Sequence, residues 1–266
     1  MTPLDADALQ AACTEAGGGW RVEVWPELPS TSDALKARAA REDAVGRIIF
    51  AESQTAGRGR RANRWASAPG QDLLFSLALR PPVEMALWPR VTTAAALAVC
   101  EAVEETLPLQ PQIKWPNDIY LAGKKVAGLL TEVVHGVGGA LVILGIGING
   151  NGLELPEGLV ALATSLRREC PEPIRSRGLD RTEIAVALLR HLMAARERLE
   201  AGFPAVMEAV RRRAWLMGQQ VRLLHEGREM WGRVIDLDAE GQLVLMTAGG
   251  QRLALSSAEQ VRAVEG

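Results

Sequence analysis

Two long runs, KKVAGLLTEVVHG and GALVILGIGING, meet at a GVGG turn in the middle of the chain. Runs this long, rich in β-branched residues and joined by so short a turn, read as neighbouring antiparallel strands, since a parallel pair would need a much longer crossover. A long central hairpin of this kind fixes the class of fold around it. The flanking segments mix strands and helices without strict β-α-β alternation, which favours α+β over a doubly wound sheet.

Upstream, the segment to Gly19 suits a short helix ended by GGG, and WRVEVWPEL alternates like a strand with Val22 and Val24 on one face. PSTSDALKARAARE reads as a helix with hydroxyl residues at its start, and GRIIFAES and DLLFSLALR as strands. From 85 to 107, Val91, Ala94, Ala95, Ala98, Val99, Ala102 and Val103 recur at helical spacing, with Pro89 placed in the first turn. QIKWPNDIYL is extended but interrupted by Pro116. In TEIAVALLRHLMAARERLE, residues Ile184, Leu188, Leu192, Ala195 and Leu199 share a helical face, and PAVMEAVRRRAWLMG continues as a further helix. After Gly218 come short strands broken by EG, EG and GG turns, the texture of a small β-barrel or sandwich. The expected organisation is a domain over 1–217 with a mixed, largely antiparallel central sheet and packed helices, followed by a small β domain over 218–266.

Charge narrows the function classes. The 266 residues carry 30 basic and 32 acidic side chains, so a surface that coats nucleic acid or anionic membrane throughout is excluded and any positive field must be local. The three cysteines, Cys13, Cys100 and Cys170, are too few and too scattered for a disulfide framework or a zinc site. Cys100, inside TTAAALAVCEAV, reads as a buried inert thiol. The start, MTPLDADALQAAC, lacks the basic region of a signal peptide, and no apolar run reaches the ~18 residues that span a bilayer. The expected compartment is the cytoplasm.

Four arginines, Arg58, Arg60, Arg61 and Arg64, crowd into QTAGRGRRANRW, where the local field is concentrated. No Gly-Lys-[Ser/Thr] closes the stretch into a Walker A loop, and nothing repeats as an RGG array would. Taken alone it suits a solvated loop, a weak nucleic-acid contact or a grip on a small anion. Gly57 and Gly59 allow close backbone approach, and Arg58 and Arg60 offer forked donors to carboxylate or phosphate oxygens. In KWPNDIYLAGKKVAGLLTE, Lys114, Asn117 and Asp118 surround a proline break and Lys124 and Lys125 open the next strand. This is either a wet hairpin rim or a site wall, with Gly128 leaving room on the strand face. The glycines of GIGING weaken a strand unless something approaches closely, and no dinucleotide fingerprint follows them. Ser30, Thr31 and Ser32 suit helix capping in the first instance. The histidines His135, His191 and His225 show neither ligand spacing nor a nucleophile arrangement.

Taken in order, STSDALK, AESQTAGRGRRANRW, KWPNDIYLAGKKVAGLLTEVV and GIGING, followed by a small β C-terminus, resemble the biotin–protein ligases over nearly the whole chain from about Trp20. The resemblance implies that MgATP activates biotin to biotinyl-5′-AMP, which then modifies a lysine of a biotin carboxyl carrier protein. It also implies that the C-terminal unit is an SH3-like β-barrel. By the same resemblance, Ser30, Thr31, Ser32 and Gln54 face the biotin ring, and Arg58, Gly59 and Arg60 fold over the carboxylate and acyl phosphate. Lys125 contacts the reacting groups, Gly128 and Gly147 border biotin, and Lys114, Asn117, Asp118 and Asn149 lie near nucleotide and metal. Mg²⁺ is expected on the ATP phosphates, with no protein ligands assigned.

Two departures stand out. Ala62 and Asn63 follow the paired arginines where the family usually has glycine, and the segment before about Arg21 is too short for the winged helix-turn-helix of bifunctional members. No DNA binding and no membrane are therefore expected, while the family's monomers and dimers leave a homodimer open. The competing readings are a lipoate–protein ligase of the same fold and, from another class, a nucleic-acid-binding module using the arginine loop.

Overall fold

The structure, a computed structural model, describes residues 2–17, 19–60, 63–154 and 157–264. In chain order the elements are α1 (Ala6–Glu15), β1 (Arg21–Trp25), α2 (Thr31–Ala39), β2 (Arg47–Ala51), β3 (Leu73–Leu79), α3 (Arg90–Thr106), β4 (Gln112–Lys114), β5 (Asp118–Leu121), β6 (Lys124–Gly136) and β7 (Gly139–Ile148). They continue with α4 (Leu166–Glu169), α5 (Ile174–Arg177), α6 (Arg181–Ala201), α7 (Phe203–Arg212), β8 (Gln220–His225), β9 (Arg228–Leu237), β10 (Leu243–Met246), β11 (Arg252–Leu255) and β12 (Glu259–Ala263).

Seven strands form one sheet in the order β1-β2-β3-β7-β6-β5-β4. Among the described residues, only β1 and β2 run parallel in it; the other strand pairings are antiparallel. The central hairpin is the expected one, β6 against β7 from Ala127 opposite Ile148 to Gly136 opposite Gly139. Strand periodicity of two divides the apolar residues between the two faces. Val142, Leu144, Ile146 and Ile148 of β7 join the main core under α3 and α6, whereas Leu141 and Ile143 join a smaller core with Leu35 and Ala39 of α2. On the α2 face the β7 sequence then runs Leu141, Ile143, Gly145, Gly147, so side-chain volume disappears towards the strand's end. That loss of volume opens a cavity beside the N-terminus of α2.

Pro89 caps the third helix rather than lying in its first turn, because residues 85–87 form a separate 3₁₀ turn. α4 and α5 fall where the sequence shows no periodicity. The C-terminal strands form a second, antiparallel sheet in the order β11-β10-β9-β8-β12. The chain entering it also covers the edge strand β4: Ile113 N donates to Arg213 O at 2.8 Å and Trp215 N to Ile113 O at 2.9 Å. Trp115 Nε1 reaches Gly241 O, between β9 and β10, at 3.0 Å. No helix among the described residues is long and apolar enough to cross a membrane.

Candidate active site

A cavity of about 340 Å³ lies on the α2 face of the large sheet, floored by Gly128, Gly145 and Gly147. The floor has to be glycine. A Cβ at Gly145 would stand 2.8 Å from Ser32 Oγ, and one at Gly147 would stand 2.6 Å from the Trp65 ring. A Cβ at Gly128 would meet Lys125 Nζ at 2.9 Å and the same ring at 3.0 Å. Gly128 and Gly147 are register partners, so the indole of Trp65 lies flat against two paired backbones.

At one end the hydroxyl residues share out their work. Ser30 caps α2, its Oγ accepting from Asp33 N at 3.3 Å. Thr31 and Ser32 instead turn to Ser76 of β3, with Oγ1–Oγ and Oγ–Oγ distances of 2.7 and 2.9 Å. Gln54 Oε1 accepts from Thr31 N at 2.7 Å, which locks the amide in place. All four hydroxyl residues are buried, so this end is a preorganised set of small donors and acceptors.

The opposite end is cationic. Lys125 Nζ pairs with Asp118 Oδ1 at 2.7 Å and lies 5.5 Å above the Trp65 ring. Lys114 donates to Tyr120 Oη at 2.8 Å and faces the rings of Tyr120 and Trp215. Burial pulls the Lys114 ammonium below its ordinary pKa; Asp118 opposes this, while Lys125 and Arg262 reinforce it. Neighbouring cations that depress a buried ammonium in this way favour an anion beside it. Asn117 braces the corner, with Nδ2 donating to Leu129 O at 2.7 Å and Oδ1 accepting from Arg60 Nη1 at 3.0 Å.

The described residues of the arginine stretch line the cavity and pair as a hairpin-like stem. Trp65 N donates to Gly57 O at 3.0 Å and Gly59 N to Asn63 O at 2.7 Å. Arg58 binds Asp33 at 2.7 Å and Glu132 at 3.0 and 3.3 Å. Arg61 and Ala62, with the expected effect of the missing glycine, lie outside the described residues.

Ser30, Thr31, Ser32, Gln54, Arg58, Gly59, Arg60, Lys114, Asn117, Asp118, Lys125, Gly128 and Gly147 therefore all line one cavity. Asn149 does not: its Nδ2 donates to Thr164 O at 2.8 Å, bracing the segment after β7. Sequence reasoning gave no role to Trp65, Ser76 or the β12 residues Glu259, Gln260 and Arg262, and read Gly145 only among the anomalous glycines of GIGING; all of them line the cavity too. The lone serine in LLFSLAL was a readable signal; the contribution from β12 had none. Burial raises the thiols of Cys13 (to about 11) and Cys100, consistent with inert core residues. Among the described residues, no group of three or more His, Cys, Asp or Glu is placed to hold a metal.

Fold and cavity together define a protein of the biotin and lipoate ligase class: the Biotin/lipoate A/B protein ligase family matches residues 24–149, and the Biotin protein ligase C terminal domain matches 216–259. The biotin–[acetyl-CoA-carboxylase] ligase of Mycobacterium tuberculosis is 34% identical, across 97% of this chain and 96% of its own. The bifunctional ligase/repressor BirA of Bacillus subtilis is 33% identical over 84% of this chain and 68% of its own. Among solved structures, the Aquifex aeolicus biotin protein ligase in complex with biotin and ATP superposes with a TM-score of 0.80 at 29% identity, covering 91% of this chain and 99% of that one. The chain belongs to the biotin protein ligase family.

Proposed function

We propose that this chain joins biotin to ATP as biotinyl-5′-AMP with release of pyrophosphate, then transfers the biotinyl group to a lysine of a biotin carboxyl carrier protein. The observation that carries the reading is one cavity with a small-donor end, a glycine floor and a cationic end. The Thr31, Ser32, Gln54 and Ser76 end suits a neutral polar ring, and the floor admits a thin aliphatic tail beside Trp65. The Lys114, Lys125 and Arg262 end suits the carboxylate and the triphosphate.

The first step brings two anions together. At ~4 Å and an effective dielectric near 20, one like-charge pair costs roughly 4 kcal/mol. That is about three decades in rate, so fixed cations at the meeting point govern the step. Lys125, paired with Asp118 and close to the Gly128 floor, is the fixed cation of this end, and Arg60, which also lines the cavity, is held there by Asn117. The carboxylate oxygen bonds to the α-phosphorus as pyrophosphate leaves. In the second step the acceptor amine bonds to the acyl carbon, loses its proton, and AMP departs. Were Mg²⁺ to accompany the triphosphate, Asp118 and Glu259 are the cavity carboxylates that would help hold it, and it would neutralise phosphate charge. A loop closed over the mixed anhydride keeps water away from it.

Pyrophosphate exchange with biotin or lipoate as the sole acid, followed by mass spectrometry of an added carrier domain, tests the reading. Biotin-dependent exchange and a carrier heavier by one biotinyl group are expected. Exchange with lipoate alone, or with neither acid, would overturn it.

A further inference from the structure

Arg58 directs its guanidinium at two carboxylates from different elements, Asp33 in the first turn of α2 and Glu132 in β6. Lys36 shares both, at 2.7 Å from Glu132 and 3.6 Å from Asp33, so two cations and two anions form a closed, neutral cluster. Glu132 is the less exposed carboxylate, 23% against 52% for Asp33, and it accepts from both terminal nitrogens of Arg58. Bidentate, charge-assisted pairs of this type are geometrically specific as well as strong.

The cluster sits at the root of the stem. Arg58 bridges Arg64 across the stem, and the next residue, Trp65, presses its ring onto Gly128 and Gly147. One strand of the stem is therefore tied to α2 and β6 by charge, and the other is seated on the sheet by its indole. Lifting the stem off the cavity must break the Arg58 pairs.

We infer that Asp33 and Glu132 are positioning residues that retain the adenylate by holding the stem of the arginine loop down through Arg58. The inference rests on the ligase reading above and assigns a role to two carboxylates outside the reacting set. It opposes a direct reading in which Arg58 grips the ligand and the carboxylates merely compete for it. The two readings differ in sign. If the carboxylates compete, neutralising Glu132 frees Arg58 and slows adenylate release; if they anchor the stem, release accelerates.

The test measures release of enzyme-formed biotinyl-5′-AMP from the full chain, as wild type, Glu132→Gln, Asp33→Asn, Arg58→Gln and Arg58→Gln/Glu132→Gln. Release about three- to tenfold faster is expected for Glu132→Gln, with a smaller effect for Asp33→Asn, in line with partly exposed ion pairs. The double variant should release no faster than Arg58→Gln alone. Slower or unchanged release in Glu132→Gln at wild-type thermal stability, or additive effects in the double variant, would overturn the proposal. Tryptic cleavage within residues 57–65, followed without any substrate, provides a second readout. It should be faster in Glu132→Gln than in wild type, and equal cleavage would count against the anchor. A wild-type protein that makes no adenylate would remove the ligase reading, while the tryptic comparison would still decide whether the stem is held.

Discussion

Single atoms decide much of this site. The Cβ that Gly147 lacks is the space the Trp65 ring occupies, so Gly147→Ala should push the indole off the floor. Overpacking of this kind costs about 1–3 kcal/mol, and biotin affinity measured by calorimetry should fall by about tenfold or more, with a shift in tryptophan emission. Lys125→Ala should slow biotin-dependent pyrophosphate exchange by about 10²–10³-fold, the scale of losing one preorganised charge at the reacting centre; exchange at the wild-type rate would remove Lys125 from the chemistry. Lys114 gives a pH signature. Burial first of all lowers its pKa in the free protein, so folding carries a penalty at neutral pH that eases as pH rises towards the ordinary lysine value. A bound triphosphate would reverse the shift, and ATP binding in mildly alkaline buffer should take up protons. Calorimetry in two buffers of different ionisation enthalpy checks the sign, and proton release on binding would place the phosphates elsewhere. Of these residues, Gly128, Gly147, Lys114 and Lys125 stood out in the sequence because glycine in a β-branched strand and lysine at a strand end are locally anomalous. Trp65 did not, because one aromatic in a polar loop has no local oddity; its role comes from lying across two glycines some 60 and 80 residues away.

At the scale of elements, the hairpin of β6 and β7 and the helix α6 were legible because their periodicity is long and uninterrupted. Ile184, Leu188, Leu192, Ala195 and Leu199 are indeed all buried. α4 and α5 were not legible, since four residues are too few for a helical period to show. STS illustrates a middle case. Capping accounts for Ser30 alone, and only the approach of Ser76 from β3 gives Thr31 and Ser32 their partners. The arginine loop is the element whose behaviour should be most separable from stability. Arg60→Ala removes the hydrogen bond of a half-buried side chain to Asn117 on the β4–β5 corner, so it should lower the melting temperature by only about 2–4 °C, while adenylate escapes several-fold faster. Unchanged escape would show that the loop does not close over the intermediate.

Across the whole molecule, the second sheet does more than cap the first. Trp115 Nε1 binds Gly241 O, Arg211 Nε binds Leu237 O at 2.6 Å, and β12 brings Arg262 to the cationic end of the cavity. Trp115→Phe deletes one partly buried hydrogen bond, worth about 1 kcal/mol, and should lower the melting temperature by about 2–4 °C for a chain of this size. Arg262→Ala should raise the KM for ATP about five- to tenfold and leave that for biotin unchanged; an equal rise in both would mean that β12 shapes the cavity rather than meeting the nucleotide. The division at residues 217 and 218 remains a proposal, which limited proteolysis would check by cutting there first.

The sequence by itself determined the longer elements, the α+β class and most of the residues around the cavity, because periodicity, glycine placement and charge clustering are properties of neighbours along the chain. It could not determine which charges meet. Arg58 finds Asp33 and Glu132, Lys125 finds Asp118, and Arg262 crosses from one sheet to the active end of the other. Those pairings depend on sheet order and on how one face empties of side chains towards the end of β7, and Coulomb interactions act through space rather than along the backbone.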